Sequence, residues 1–251
     1  MDLSGKIALV TGASRGIGEA LAIGLAEHGT DIIICDLESE SRGLANTQKQ
    51  IEKTGKKCWS YFLDVTKKSQ IQKMVSDILS DIGSIDILVN NAGILTPTSL
   101  EEIDEKTWDN HFEVNTKGVL LMCQSVLPHM REKKSGRIIN IASIAGRQGS
   151  PTQGHYASTK SAVITLTRVL AQEVGEAGIT VNAICPGIIL TEMGKNNLGS
   201  EKEIEQWPDV SVLKRLGDPK YIIVPTVFFA SELSNFVTGQ SINVCGGIYF
   251  H

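Results

Sequence analysis

The chain has 251 residues and a mass of 27.1 kDa, with 41% apolar residues and 24 glycines, enough to close a large core and incompatible with disorder as its main state. Twenty-four Lys and Arg stand against 28 Asp and Glu for a net charge of −4, with no basic stripe to neutralise a phosphate backbone, so a nucleic-acid partner is not expected. Five scattered cysteines (Cys35, Cys58, Cys123, Cys185, Cys245), never in a C-x-x-C pair, point to buried thiols in a reducing compartment rather than disulfides or a metal site. Met1-Asp2-Leu3-Ser4-Gly5-Lys6 does not lead from a basic segment into an apolar one, and no apolar run approaches the roughly 20 residues of a membrane span. A cytoplasmic protein with no membrane partner is the expectation.

Ile7-Ala8-Leu9-Val10 reads as the first strand, followed by Thr11-Gly12-Ala13-Ser14-Arg15-Gly16-Ile17-Gly18 and the helical Glu19-Ala20-Leu21-Ala22. Glycines there permit positive φ and let backbone N–H groups approach a pyrophosphate at a helix N-terminus. The spacing G-x-x-x-G-x-G differs from the G-x-G-x-x-G fingerprint, and a plain turn with a cap is the competing reading.

The second strand, Ile32-Ile33-Ile34-Cys35, ends in Asp36, 18 residues beyond Gly18 and close to the offset at which an acid binds an adenosine ribose. A carboxylate about 4 Å from a 2′-phosphate costs on the order of 4 kcal/mol at an effective dielectric of 20, so NAD is favoured over NADP. Arg15 opposes that reading as a cation beside the glycine loop. Because Leu37 and Glu38 follow Asp36 without a second cation, the acid weighs more, with a helix N-cap or solvated strand end as its competing reading.

Trp59 to Leu63 and Ile85 to Val89 are the third and fourth strands, and between them Ile71, Met74, Val75, Ile78, Leu79 and Ile82 form one helical stripe. Asn115, in a helical stretch with Trp108 and Phe112, is placed to order a water or hold a backbone distortion, unless it is merely solvated. The fifth strand, Ile138 to Ile141, delivers Ser143 to the carboxyl edge of a sheet, 13 residues before Tyr156. Tyr156 and Lys160 share one face of the next helix, whose expected buried side is Val163, Leu166 and Leu170. Bringing a phenol from about 10 to about 7 takes roughly 4 kcal/mol, and an ammonium one turn away is the right kind of group. A lone Tyr-x-x-x-Lys is more often a solvated helix face.

Ile179 to Ile184 and Ile242 to Val244 are the sixth and seventh strands. The polar stretch from 187 to 218, with Leu198, Ile204, Trp207-Pro208, Val212 and Leu213, is expected to be a substrate loop. Strands this apolar alternating with helices predict an α/β doubly wound Rossmann fold: one domain over residues 1–251, with a seven-stranded parallel sheet and helices on both faces.

Taken together, the glycine segment, Asp64-Val65, Asn90-Asn91-Ala92-Gly93, Asn115, Ser143, Tyr156 with Lys160, and Pro186-Gly187 with Thr191 resemble the short-chain dehydrogenase/reductase family over essentially the whole chain. The resemblance implies a catalytic group of Asn115, Ser143, Tyr156 and Lys160 and no metal. It implies a dinucleotide held by Gly12, Ser14, Arg15, Gly16, Ile17, Gly18 and Asp36, with Asp64 and Val65 bordering the adenine and Asn91, Ala92 and Gly93 shaping the adenosine side. Pro186, Gly187, Ile188 and Thr191 would position the nicotinamide. Tyr156 would exchange a proton with the substrate oxygen, Ser143 would hydrogen-bond it, and Lys160 would bind the ribose and depress the tyrosine pKa. Asn115 would extend a proton relay. Cys245 stands where the family often has an acid before its paired glycines, and a homotetramer is expected by analogy.

The leading expectation is an NAD-dependent dehydrogenase of a small polar substrate, a sugar or polyol. Alternatives are an NADPH-dependent 3-oxoacyl thioester reductase docking an acidic carrier protein, or an idle dinucleotide-binding scaffold. Ala177 stands where such reductases tend to place a cation, while Arg131, Lys133 and Lys134 are either a docking patch or a solvated helix end. Gln148, Gln153, His155 and side chains from Met193 to Leu213 are the candidate substrate contacts, with local packing the first reading of His155.

Overall fold

A computed structural model of the chain describes residues 1–198 and 207–250. Its strands are β1 (Ile7–Thr11), β2 (Asp31–Asp36), β3 (Cys58–Phe62), β4 (Ile87–Asn90), β5 (Gly136–Ile141), β6 (Ile179–Pro186) and β7 (Ser241–Val244). The helices are α1 (Gly16–Glu27), α2 (Ser41–Glu52), α3 (Lys68–Asp81), α4 (Glu105–Phe112), α5 (Gly118–Lys133), α6 (Ala145–Gln148), α7 (Gly154–Val174), α8 (Glu192–Leu198) and α9 (Lys220–Ala230). All seven strands pair in parallel in the order β3-β2-β1-β4-β5-β6-β7, the predicted architecture. Chain order reverses between β1 and β4, which opens a crevice at the carboxyl ends of the strands.

The inner strands are apolar on both faces because both faces are covered. Leu9, Ile33, Leu88 and Ile138 pack against α3, α5 and α7. Ala8, Val10, Ile32 and Ile34 pack against α1, α2 and α9. In α3 the stripe Ile71, Met74, Val75 and Ile78 is buried as its spacing predicts, each side chain contributing about 2 kcal/mol of transfer free energy.

Several expectations shift. The third strand begins at Cys58, and Trp59 and Tyr61 are only half-buried with Phe62 exposed, because β3 is an edge strand paired on one side. The fourth begins at Ile87, since Asp86 serves as an acceptor: its Oδ2 takes the Ile7 N–H at 2.9 Å and its Oδ1 takes Lys133 Nζ at 2.6 Å. On α7 the buried face is Val163, Ile164, Thr167 and Ala171, while Leu166 and Leu170 lie half-buried at its margin.

All five cysteines are free and buried. Among the described residues no helix is long and apolar enough to cross a membrane. Within the predicted substrate loop, Ile189 bridges to Gly217 and α8 follows Thr191, so part of it is regular structure. Val212 and Leu213 are exposed. Ile204 lies outside the described residues, and Leu198, Trp207 and Pro208 are described by their backbone alone.

Candidate active site

The glycine segment forms one wall of a cleft of about 480 Å³ at the switch point. Gly16 has φ +63°, a left-handed conformation that side chains resist. Gly18 lies inside α1, where an added Cβ would stand 2.1 Å from the Gly12 carbonyl oxygen and 2.4 Å from Asn91 Nδ2. Glycine therefore lets the helix start press against the loop, bringing its unpaired N–H groups to the cleft. That glycine-lined cradle fits the pyrophosphate of a dinucleotide. Thr11, at the head of the glycine segment, stitches the loop to the end of β4: its Oγ1 accepts from the N–H groups of Asn91 and Ala92, both at 3.0 Å. Asn91 Nδ2 answers by donating to the carbonyls of Thr11 and Gly12 at 3.0 and 2.9 Å.

At the adenosine end, Asp36 accepts from the N–H groups of Ser14 at 3.0 Å and Leu37 at 2.9 Å. Arg15 is engaged by two acids that the sequence did not single out, Glu40 at 2.6 Å and Glu192 at 3.4 Å. Asp64 accepts from the N–H and hydroxyl of Thr66 at 2.9 and 2.7 Å, holding the turn after β3.

Between α4 and α5 the helix widens into a π-turn, Glu113–Lys117, with Asn115 fully buried inside it. Its Oδ1 accepts from the N–H of Ile94 at 2.8 Å, and its Nδ2 donates to the Ile94 carbonyl at 2.9 Å and to Thr159 Oγ1 at 3.2 Å. Burial excludes a merely solvated side chain, and the π-turn is a backbone distortion held by this amide.

Ser143 stands just past β5, and its Oγ accepts from the N–H of Ala145 at 3.1 Å. Tyr156 is half-buried on the first turn of α7. Burial pushes its phenol up to about 12, against the opposing hydrogen bond from Ser143. Burial also lowers Lys160 to about 8. The amine expected to depress the tyrosine pKa is itself bonded to the end of β5. Lys160 Nζ donates to the Ile141 carbonyl at 2.8 Å and stands 5.6 Å from the centre of the phenol ring, and desolvation is the larger influence on the phenol.

Most of the predicted residues meet on this one cleft: Gly12, Ser14, Arg15, Gly16, Ile17 and Asp36 at one end, then Asp64, Val65, Asn91, Ala92 and Gly93. Ser143, Tyr156, Lys160, Pro186, Gly187, Ile188 and Thr191 complete the lining, with Gln148, Gln153 and Met193 beside them. Gly18 and Asn115 act from behind the wall rather than on it. His155 does not reach the cleft either: it is buried with its ring 3.9 Å from that of His111. Val210, from the stretch expected to supply substrate contacts, also lines the space, as do Leu95 and Ile248, apolar residues with no local signal for such a role.

The cations weighed as a docking patch lie elsewhere. α5 starts beside Asn115 and runs 16 residues, about 24 Å, so Arg131, Lys133 and Lys134 sit at the opposite end of the sheet from the cleft. Arg131 donates to the Glu173 carbonyl at 3.1 Å and Lys133 pairs with Asp86. Within one chain, helix geometry removes them from the mouth.

The family model described as short chain dehydrogenase matches residues 6–202. A 3-oxoacyl-[acyl-carrier-protein] reductase FabG of Staphylococcus epidermidis is 39% identical over 244 residues, spanning 97% of this chain and 99% of its own length. The protein of the same name from Thermotoga maritima is 38% identical over 248 residues, 99% of each chain. Among solved structures, a gluconate 5-dehydrogenase from Burkholderia cenocepacia, in complex with NADP and tartrate, superposes with a TM-score of 0.93 at 33% identity over 98% of this chain and 96% of that one.

Proposed function

The chain belongs to the short-chain dehydrogenase/reductase family, and we propose that it is an NAD(H)-linked reductase of 3-oxoacyl thioesters. When bound, the dinucleotide supplies the hydride for the carbonyl carbon. Tyr156 donates its proton to the carbonyl oxygen as that charge develops, giving the 3-hydroxyacyl product, and Ser143 holds the same oxygen by a hydrogen bond. Lys160 holds the ribose and carries positive charge beside the phenol, while Asn115 keeps the loop carrying Gly93 and Ile94 in register with α7 and serves the relay that returns a proton to Tyr156. A protonated phenol is the form a reductive step needs, and the observation that carries the reading is the 39% identity to the 3-oxoacyl reductase across 97% of this chain.

Identity to the reductases supports the thioester, and so does the lining around Tyr156. Leu95, Met193, Val210 and Ile248 are apolar, Gln148 and Gln153 are uncharged amides, and the only cations among the described lining residues are Arg15 and Lys160. An acyl chain and an amide-bearing thioester arm suit such a wall. Support for NAD(H) is the carboxylate of Asp36 on the cleft with Arg15 claimed by Glu40.

The second reading, an NAD-dependent dehydrogenase of a sugar or polyol, is favoured for the substrate class by the structural likeness to the gluconate enzyme, which holds NADP, and for the cofactor by Asp36 alone. Purified protein assayed with acetoacetyl-CoA, and with polyols and sugars, in both cofactors separates them. Reduction of the thioester with NADH as the better donor is expected; oxidation of polyols without thioester turnover moves the assignment to the second reading, and no turnover with any substrate leaves a binding scaffold. Lys133→Glu is expected to leave carrier-protein and CoA thioesters in the same ratio if docking within the chain is absent. The homotetramer is part of this proposal, supported by apolar Leu120 and Val169 exposed on α5 and α7 and tested by light scattering.

A further inference from the structure

We infer that Glu40 is a cofactor-specificity determinant that works by occupying Arg15, the one cation at the adenosine end of the cleft among the described residues. The inference rests on the NAD(H) reading and adds a residue to it.

Arg15 extends from the glycine loop at the N-cap of α1, where a guanidinium would ordinarily recruit a phosphate. Here its Nη1 is 2.6 Å from Glu40 Oε2, and its Nε is 3.4 Å from Glu192 Oε2. Arg15, Asp36, Leu37, Glu40 and Glu192 all line the same cleft. Glu40 is the less exposed of the two acids, its side chain 29% accessible against 68% for Glu192, so its pair with Arg15 is the less screened. It is carried on the 3-10 turn Glu38–Glu40 that joins β2 to α2, and backbone geometry therefore fixes it beside the end of the strand bearing Asp36.

The charge count follows from that placement. Three carboxylates, Asp36, Glu40 and Glu192, surround one guanidinium, so this end of the cleft is net negative. A 2′-phosphate has to displace Glu40 from Arg15 and stand beside Asp36 as well. A 2′-hydroxyl does neither, because it can donate a hydrogen bond to Asp36 and leaves the ion pair intact. Asp36 acts by direct repulsion, while Glu40 withholds the compensating cation. Arg15, the residue that by itself speaks for NADP, is in this arrangement part of the discrimination against it.

The test measures dissociation constants of NADH and NADPH by the fluorescence of the reduced ligand, alongside kcat/KM for each. Glu40→Gln is expected to move the ratio of affinities toward NADPH by about fivefold, the upper end for release of a partly exposed ion pair. Adding Arg15→Gln in that background is expected to cancel the shift, and Glu192→Gln alone to give a smaller one. A ratio unchanged within twofold in Glu40→Gln, or a shift that persists without Arg15, overturns the inference. If Asp36→Ala shifts the ratio and Glu40→Gln does not, the NAD(H) reading stands and this one falls. If the unaltered protein binds NADPH more tightly, the NAD(H) reading falls, and Glu40→Gln still decides the role of Glu40: a gain for NADPH upholds it, no gain overturns it.

Discussion

The side chain of Asn115 bonds to the backbone of Ile94 in the way a neighbouring strand would, accepting from its N–H at 2.8 Å and donating to its carbonyl at 2.9 Å. The π-turn brings this amide to the loop after β4, and the same Nδ2 reaches Thr159 on α7. One buried amide thus connects the cofactor loop with the helix that carries Tyr156 and Lys160. Asn115→Ala leaves both Ile94 groups unpaired in the interior and is expected to lower unfolding free energy by about 2–4 kcal/mol. Asn115→Asp, which sets a buried carboxylate against the Ile94 carbonyl, is expected to cost at least as much. Urea unfolding of the two variants measures this, and equal stability of Asn115→Ala and the unaltered chain would refute the role assigned to the amide.

Tyr156→Phe removes the proton donor with little change in shape. Turnover is expected to fall by about 10²–10⁴, the usual contribution of a positioned acid, while NADH fluorescence still reports binding. Ser143→Ala is expected to cost less, since the phenol remains. Near-normal turnover in Tyr156→Phe would reject the mechanism.

Lys160 provides a pH dependence of stability. Its ordinary value is 10.5 and burial lowers it to about 8, so between those limits the unfolded chain binds the additional proton and stability rises with pH, by roughly 3 kcal/mol across the window. Tyr156 acts in the opposite sense above pH 10, and the buried thiols of Cys35, Cys58, Cys123 and Cys185, all raised from 9.0 by burial, do so above pH 9, so the rise is clearest from pH 8 to 9. Lys160→Met is expected to abolish the rise and to lose turnover. Denaturant titrations at pH 7, 8, 9 and 10 read the slope, and an identical slope in both proteins would remove Lys160 as its source.

Gly18→Ala places a methyl group 2.1 Å from the Gly12 carbonyl oxygen. The start of α1 has to retreat from the loop, so a destabilisation of about 1–3 kcal/mol is expected, with at least a tenfold loss of NADH affinity because the helix N–H groups move from the pyrophosphate. A dissociation constant unchanged from that of the unaltered chain would mean that the close approach serves packing alone.

The sheet was legible because strands covered on both faces read as continuous apolar runs, and α3 because its spacing admits one buried stripe. The third and fourth strand boundaries were less so: Phe62 and Asp86 owe their roles to an unpaired edge and to a distant N–H. The same distinction runs through the site. Gly12, Gly16, Asp36, Ser143 and Tyr156 could be chosen from local order, since each follows a strand or opens a helix and the fold brings those ends together. Glu40 and Glu192 could not, because nothing in their own segments says that a guanidinium will lie between them.

What the sequence determined by itself is the order of elements and the chemical types at the strand ends, both consequences of short-range periodicity and turn chemistry. Only the tertiary structure decided that Lys160 bonds to the Ile141 carbonyl, that Arg15 is held by acids, and that His155 turns inward against His111. Those outcomes depend on desolvation and on which groups from remote segments arrive within a few ångströms, and neither quantity exists until the chain has folded.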